Sequence, residues 1–423
     1  MKQKHHRMLC AFCALVILVS TVFPAAAFAE QPVDAAAAEQ TLTRADAAEM
    51  QQADAAVTAL TESEQYQEMD TDARKDAALA QLDTLAAKGL VEKDSIYTDE
   101  ENGMVSFRYP CGVRGGILLT EPEDETLDEE NAETETASNA LPLRLPPDLG
   151  AEMQKSRAAL LRRTENQAVE KFGTAVIYYA FDNTINSSRF PYYSYMQGFW
   201  SALGLETKIN IHVTVADLKK MGNFNVSVLS AHGSYYTYSY GKFLKRTRTE
   251  PIMLLTEEST FGKDLRYGFD LLAHRVIKVN GMYCVTSDFF RNAYKGGKLS
   301  NTIVYSETCE FLGVDGSEDN AMADALLSGG AQAVIGYVNN VYTVYSRSML
   351  WDTINHLIMG QNVGQALEHA KATYGEDDLI WYHAQGGRRP HAAASYAVLY
   401  GNSQAALHVP ESNRSMFSAD LAA

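Results

Sequence analysis

From Lys171 onward, short runs of β-branched and aromatic residues alternate with stretches of helical character, and no other feature constrains the fold as much. Strands joined by helical crossovers build a parallel sheet with helices on both faces. Strands are expected at 175–181, 208–213, 226–229, 303–305, 333–338 and 395–400. Helices are expected at 194–205, 216–221, 320–327 and 346–371, the last interrupted near Gly360 and Gly364.

Two of these strands run out into reactive residues. In Thr302–Gly313, TIVYSETCEFLG, the run Ile303-Val304-Tyr305 is followed by small and polar residues, which puts Cys309 at the mouth of the sheet. Asn225–Tyr236, NVSVLSAHGSYY, has the same shape and ends in His232-Gly233. The carboxyl ends of parallel strands are where chemistry collects in an open α/β sheet. A cysteine attacks as thiolate, and an adjacent imidazole stabilises the thiolate and later protonates a leaving amine. A glycine beside the base leaves backbone N–H groups open to an oxyanion. A cysteine and a histidine taken at random are more often core residues. Their placement at two strand ends singles these out.

His-Gly after one hydrophobic strand and Cys after a later one resembles the caspase-like cysteine peptidases, which include caspases, clostripain, gingipains and CHAT-domain peptidases. Ala325–Tyr337, ALLSGGAQAVIGY, is similar to the glycine-alanine segment and strand that follow the cysteine in gingipain and CHAT sequences. Tyr396–Ala406, YAVLYGNSQAA, resembles their closing strand, which usually ends in Gly-Asp-Pro where this chain has Gly401-Asn402-Ser403. The resemblance implies a three-layer α/β/α sandwich with a mostly parallel sheet over residues 171–410. It also implies a hydrolase, a thiol protease acting on protein or peptide substrates, with Cys309 as nucleophile and His232 as acid/base. The N–H groups of Gly233 and Cys309 would bind the oxyanion.

Side chains alternate along a strand, so Glu307 is expected on the same side as Cys309, placed to select Lys or Arg before the cut bond. In clostripain-like enzymes an aspartate holds that place. Asp182, at the end of the first sheet strand, is a second candidate for the same pocket. The rival reading is a secreted caspase-fold binding protein without catalysis, favoured by Gly401-Asn402-Ser403 and by the long insertion between His232 and Cys309. A third is an α/β ligand-binding domain with a coincidental Cys and His.

Residues 1–29 read as a secretory signal, with Lys2, Lys4 and Arg7 before an apolar run and Ala27-Phe28-Ala29 as the cleavage site. The protein is therefore expected to be secreted, with no stable membrane anchor. Its removal takes three positive charges and no negative one, so the formal net charge of -17 becomes -20. That acidity argues against nucleic acid as a partner. Cys10 and Cys13 leave with the signal. The odd remainder, Cys111, Cys284 and Cys309, argues against a disulfide framework, with Cys111–Cys284 the pairing that would leave Cys309 free.

Residues 30–120 read as a helical and β-hairpin region, a candidate propeptide, with Asn102-Gly103 as the hairpin turn. Residues 121–147 form an acidic linker, with nine carboxylates and no basic residue between Glu121 and Ala140. A helix at 148–170 precedes the 171–410 domain, and 411–423 is a tail. In the insertion, Tyr235, Tyr236, Tyr238 and Tyr240 suit hairpin packing or a substrate cleft, and a hairpin turns at Asn280-Gly281. No cofactor is expected. Calcium stays open without a site, because the Asp315, Glu318 and Asp319 loop matches no known calcium spacing. His212, His274, His356, His369, His383 and His391 are too scattered in sequence to suggest a metal centre, and oligomeric state is not legible.

Overall fold

The described residues form a seven-stranded sheet, a six-stranded sheet and one two-stranded pair, and the backbone passes between the two large sheets at His232. The computed structural model describes residues 41–119, 169–181, 191–241, 244–379 and 394–417. The expected signal at 1–29, the acidic linker, nearly all of the 148–170 helix, Asp182 and the end of the tail lie outside the described residues.

The N-terminal helices are α1 (Arg44–Thr61), α2 (Glu64–Gln67) and α3 (Thr71–Ala87). Thr43 and Asp46 close a capping box at the start of α1, satisfying backbone donors that a helix end leaves open. Gly89, at φ 74, follows the end of α3 in the left-handed conformation that terminates helices. Next come β1 (Tyr97–Asp99), β2 (Met104–Arg108) and β3 (Arg114–Leu118), an antiparallel meander that turns at Gly103, φ 57.

The second half supplies β4 (Gly173–Ala180), α4 (Pro191–Ala202), β5 (Leu205–Asn210), α5 (Val215–Leu218) and β6 (Val226–Ala231). The insertion contains β7 (Gly233–Tyr240), β8 (Arg246–Glu258), α6 (Phe261–Leu272), β9 (Val276–Val279), β10 (Met282–Thr286) and α7 (Ser287–Ala293). Then follow β11 (Ile303–Ser306), the short β12 (Gly313–Val314) and β13 (Ser317–Glu318), α8 (Ala321–Ser328) and β14 (Ala333–Val338). The chain continues with α9 (Thr343–Ile358), α10 (Val363–Tyr374), β15 (Tyr396–Gly401) and α11 (Glu411–Phe417).

One sheet has six strands in the order β15-β14-β11-β6-β4-β5. Every neighbouring pair in it is parallel except β14 with β15. Alternate residues serve two cores, as a sheet covered on both faces requires. Ala175, Ile177, Val228, Ile303, Tyr305 and Ile335 pack with Met196, Trp200, Met349 and Ala366 of α4, α9 and α10. Val176, Tyr178, Leu229, Val304 and Val334 pack with Leu218, Phe290 and Leu326 of α5, α7 and α8. The expected helix 346–371 is two helices, α9 and α10, and the strand expected at 208–213 begins three residues earlier, at Leu205.

The other sheet has seven strands, β1-β2-β3-β9-β10-β8-β7, and is mostly antiparallel. It joins the N-terminal meander to the insertion through a parallel contact, Gly115 with Lys278 and Gly116 with Val279. The region before the acidic linker therefore shares a sheet with the segment that follows His232, and Leu42–Ala423 form one compact unit. Asn280 and Gly281 both have positive φ at the β9–β10 turn, as a tight hairpin demands.

A buried ionic cluster reinforces the join. Lys278, with a fully buried side chain, pairs with Asp54 of α1 and, at 2.8 Å, with Asp264 of α6. Gln51 donates to Asp264 at 2.8 Å, Ser259 to Asp54 at 2.9 Å, and the Tyr283 hydroxyl to Asp264 at 2.8 Å. Buried charges persist only when paired and hydrogen-bonded, and this cluster draws its partners from the N-terminal helix α1 and from the insertion. No helix among the described residues is long and apolar enough to cross a membrane.

Candidate active site

β6 and β11 are adjacent and parallel, with Leu229 opposite Ser306, so three further residues along each strand lead to His232 and Cys309. The Glu307 N–H donates to the Leu229 carbonyl at 2.7 Å and carries the pairing one step past β11. A β-carbon built on Gly233 would lie 2.0 Å from the Cys309 carbonyl oxygen and 2.5 Å from a Thr308 methyl. Only glycine fits there without displacing backbone. The two expected residues are thus brought to one place, at the carboxyl ends of neighbouring strands.

His232 is the single residue between β6 and β7. Its carbonyl accepts from the Leu254 N–H at 2.9 Å, and its ring stands edge-to-face on Phe181 at 4.5 Å and 86°. Gly233 faces Met253 across the β7–β8 ladder, next to that hydrogen-bonded His232–Leu254 pair. In an antiparallel ladder this makes Gly233 a non-hydrogen-bonded position whose N–H points away from β8.

Cys309 is half-buried, with Sγ 3.9 Å from the Val341 carbonyl oxygen. Glu310 follows in the left-handed region, φ 54, and its N–H donates to the Asn339 carbonyl at 2.9 Å. Burial, with Asp315 nearby, pushes the Glu310 carboxyl up to about 7. The Val341 loop is held from below by Asp378, whose carboxylate accepts from the Tyr342 N–H at 2.9 Å and the Ser395 N–H at 2.8 Å.

Glu307 lies on the face expected for it. Ile303, Tyr305, Glu307 and Cys309 succeed one another toward α4 and α9, with Glu307 only 6% exposed. Its carboxylate accepts from the Tyr193 hydroxyl of α4 at 2.9 Å, and the Ser346 hydroxyl of α9 lies 3.4 Å away. Tyr193 also contacts Ser230 at 2.8 Å and accepts from Arg347 Nε at 3.3 Å. The buried Arg347 guanidinium lies 5.6 Å and 5.2 Å from the ring centres of Tyr192 and Tyr193. A carboxylate and a guanidinium thus share one tyrosine hydroxyl below the cysteine.

Sequence reasoning missed Tyr193, Ser346, Arg347 and Asp378, because they reach the site through helix packing rather than through a strand end. Tyr235, Tyr236 and Tyr238 are buried; Tyr236, whose hydroxyl donates to the Gly115 carbonyl at 2.8 Å, and Tyr238 pack the seven-stranded sheet, whereas the Tyr235 hydroxyl donates to Asp319 at 3.1 Å. Tyr240 alone of the four is exposed. Cys111, Cys284 and Cys309 are all free thiols, so the Cys111–Cys284 pairing is not made. A cavity of about 440 Å³ lined by Tyr396, Leu399, Gly364 and Leu367 lies apart from Cys309.

The structure also draws together residues that looked scattered. Asp352, His356 and His369 form a cluster between α9 and α10.

No protein-family model matches the chain, and no curated protein matches it.

Proposed function

We propose that the chain is a secreted cysteine endopeptidase with a caspase-like α/β/α domain, in which Cys309 and His232 form the catalytic dyad. The observation that carries this reading is the close approach of Gly233 to the Cys309 backbone at the ends of two adjacent parallel strands. A sheet with helices packed on both faces and an antiparallel closing strand, β15, supports the domain reading.

The Cys309 thiolate attacks the substrate carbonyl carbon, forming a C–S bond and an oxyanion. Gly233 N–H, turned away from β8, and Cys309 N–H donate to that oxyanion. His232 gives its proton to the leaving amine as the C–N bond breaks, and then takes one from the water that hydrolyses the thioester. Glu307 lies below the nucleophile as the group that selects Lys or Arg, oriented by Tyr193 and Ser346. Asp182 is the other candidate for that pocket.

Purified protein and its Cys309→Ala partner, assayed against fluorogenic peptides with Arg, Lys, Asp or Asn before the reporter, test the reading. Cleavage after Arg or Lys by the parent alone is expected. Cleavage after Asp instead would transfer the selecting role to Arg347. Silence from both proteins, with Cys309 also inert to a thiol probe, would favour the non-catalytic binding protein.

A further inference from the structure

Asp352 and His356 stand one turn apart on α9, and His369 comes from the neighbouring α10. The ligand-type atoms of all three lie within 4.8 Å of one another. His369 Nδ1 is 2.7 Å from Asp352 Oδ2, and His356 Nε2 is 3.8 Å from Asp352 Oδ1. The two imidazole rings are stacked, with centroids 3.7 Å apart and planes at 35°.

An ordinary aspartate–histidine hydrogen bond accounts for His369 but leaves His356 unexplained. His356 is buried, its Nδ1 is sealed from solvent with no hydrogen-bond partner, and its Nε2 stands too far from Asp352 for a hydrogen bond. A neutral imidazole offers a metal ion the lone pair of its unprotonated ring nitrogen.

We propose that Asp352, His356 and His369 bind a divalent transition-metal ion of the zinc class. Two imidazole nitrogens and one carboxylate are a donor set that zinc accepts in tetrahedral geometry, with water in the fourth position. Ligands about 2 Å from a tetrahedral ion stand roughly 3.3 Å apart, so closing the widest gap takes a shift of about 1.5 Å. His369, with a half-exposed side chain, has room to make it and leaves a path for the ion. On binding, the Asp352–His369 hydrogen bond gives way to two bonds to the metal, and any proton shared between them goes to solvent. The ion ties α9 to α10. Because α9 also carries Ser346 and Arg347, the tie steadies the helix that lies beneath Glu307.

The test is titration of the purified chain with zinc chloride, followed by calorimetry and by thermal melting, with cobalt(II) absorption reporting the geometry. A Cys309→Ala background removes the competing thiolate. One ion per chain and a raised melting temperature are expected, with affinity falling at least about tenfold in both His369→Ala and Asp352→Asn. His369→Ala changes a surface residue, and circular dichroism confirms that it folds. Absence of zinc binding by the Cys309→Ala chain would overturn the proposal. So would binding that both substitutions leave unchanged, since the ion would then sit elsewhere.

Discussion

Gly233 and Cys309 are packed backbone to backbone: a β-carbon on Gly233 would stand 2.0 Å from the Cys309 carbonyl oxygen. Gly233→Ala must therefore push apart the ends of β6 and β11. A stability loss of about 1–3 kcal/mol is expected, the usual cost of overpacking, measured as a lower urea midpoint. Peptide cleavage by the folded fraction should disappear as well, because the same displacement moves His232 away from Cys309. A variant that cleaves at the parental rate would remove this contact from the mechanism.

Glu307→Gln keeps the size of the side chain and an acceptor for Tyr193 while removing the charge. A charge-assisted hydrogen bond to a basic substrate side chain contributes about 1.5–3 kcal/mol, so kcat/KM for Arg and Lys peptides should fall roughly tenfold to a hundredfold. Peptides with a neutral residue at that position should be affected much less. Equal losses on both would mark Glu307 as a purely structural carboxylate.

Lys278→Met leaves Asp54 and Asp264 buried together without their cation. Breaking a buried ion pair from one side costs about 3–5 kcal/mol, so a large fall in the unfolding midpoint is expected. Adding Asp54→Asn and Asp264→Asn should recover part of it.

The same cluster bears on the expected propeptide. β3 pairs with β9, Asn280 bonds both the Leu118 N–H and the Gly116 carbonyl, and Arg114 meets Glu250 at 3.3 Å. If the chain is cut within 121–147, the fragment containing Arg44–Leu118 should co-elute with the remainder on gel filtration and separate only in denaturant. Free dissociation in buffer would show that these contacts are too weak to hold it.

Two half-buried groups set opposite pH limits on stability. His274, close to the Gly112 carbonyl at 3.2 Å, is held down to about 3 chiefly by burial, with Arg114 adding to the shift. Its neutral form is the one the fold prefers, so its contribution is complete above pH 6.5 and is lost as pH falls toward 3. Glu310, raised to about 7 by burial and Asp315, prefers the protonated form. Its contribution is complete below about pH 4.5 and is lost as pH rises through 7. Urea midpoints measured across pH should show a shallower acid limb in His274→Asn and a shallower neutral limb in Glu310→Gln. Asparagine suits the φ of 57 at position 274. Unchanged slopes would mean that neither group titrates differently on folding.

What the amino-acid sequence determined by itself is local. The β-branched runs at 226–231, 303–306 and 333–338 are strands because their residues suit a sheet buried on both faces. Gly103 and Asn280-Gly281 make turns because those residues accept positive φ, and His232 and Cys309 follow directly from where two strands end. The long β7 and β8 strands are harder to read, since their aromatic and charged residues carry no clean period, whereas α6 has a clear helical one, with Tyr267, Leu271 and Leu272 on its buried side. Only the tertiary structure decided that β3 lies beside β9, that Arg347 shares Tyr193 with Glu307, and that Asp352 and His356 meet a histidine from the next helix. Periodicity tells which face of an element is buried. It does not tell which other element covers that face, because strand order and helix packing are settled by contacts between residues far apart in the chain.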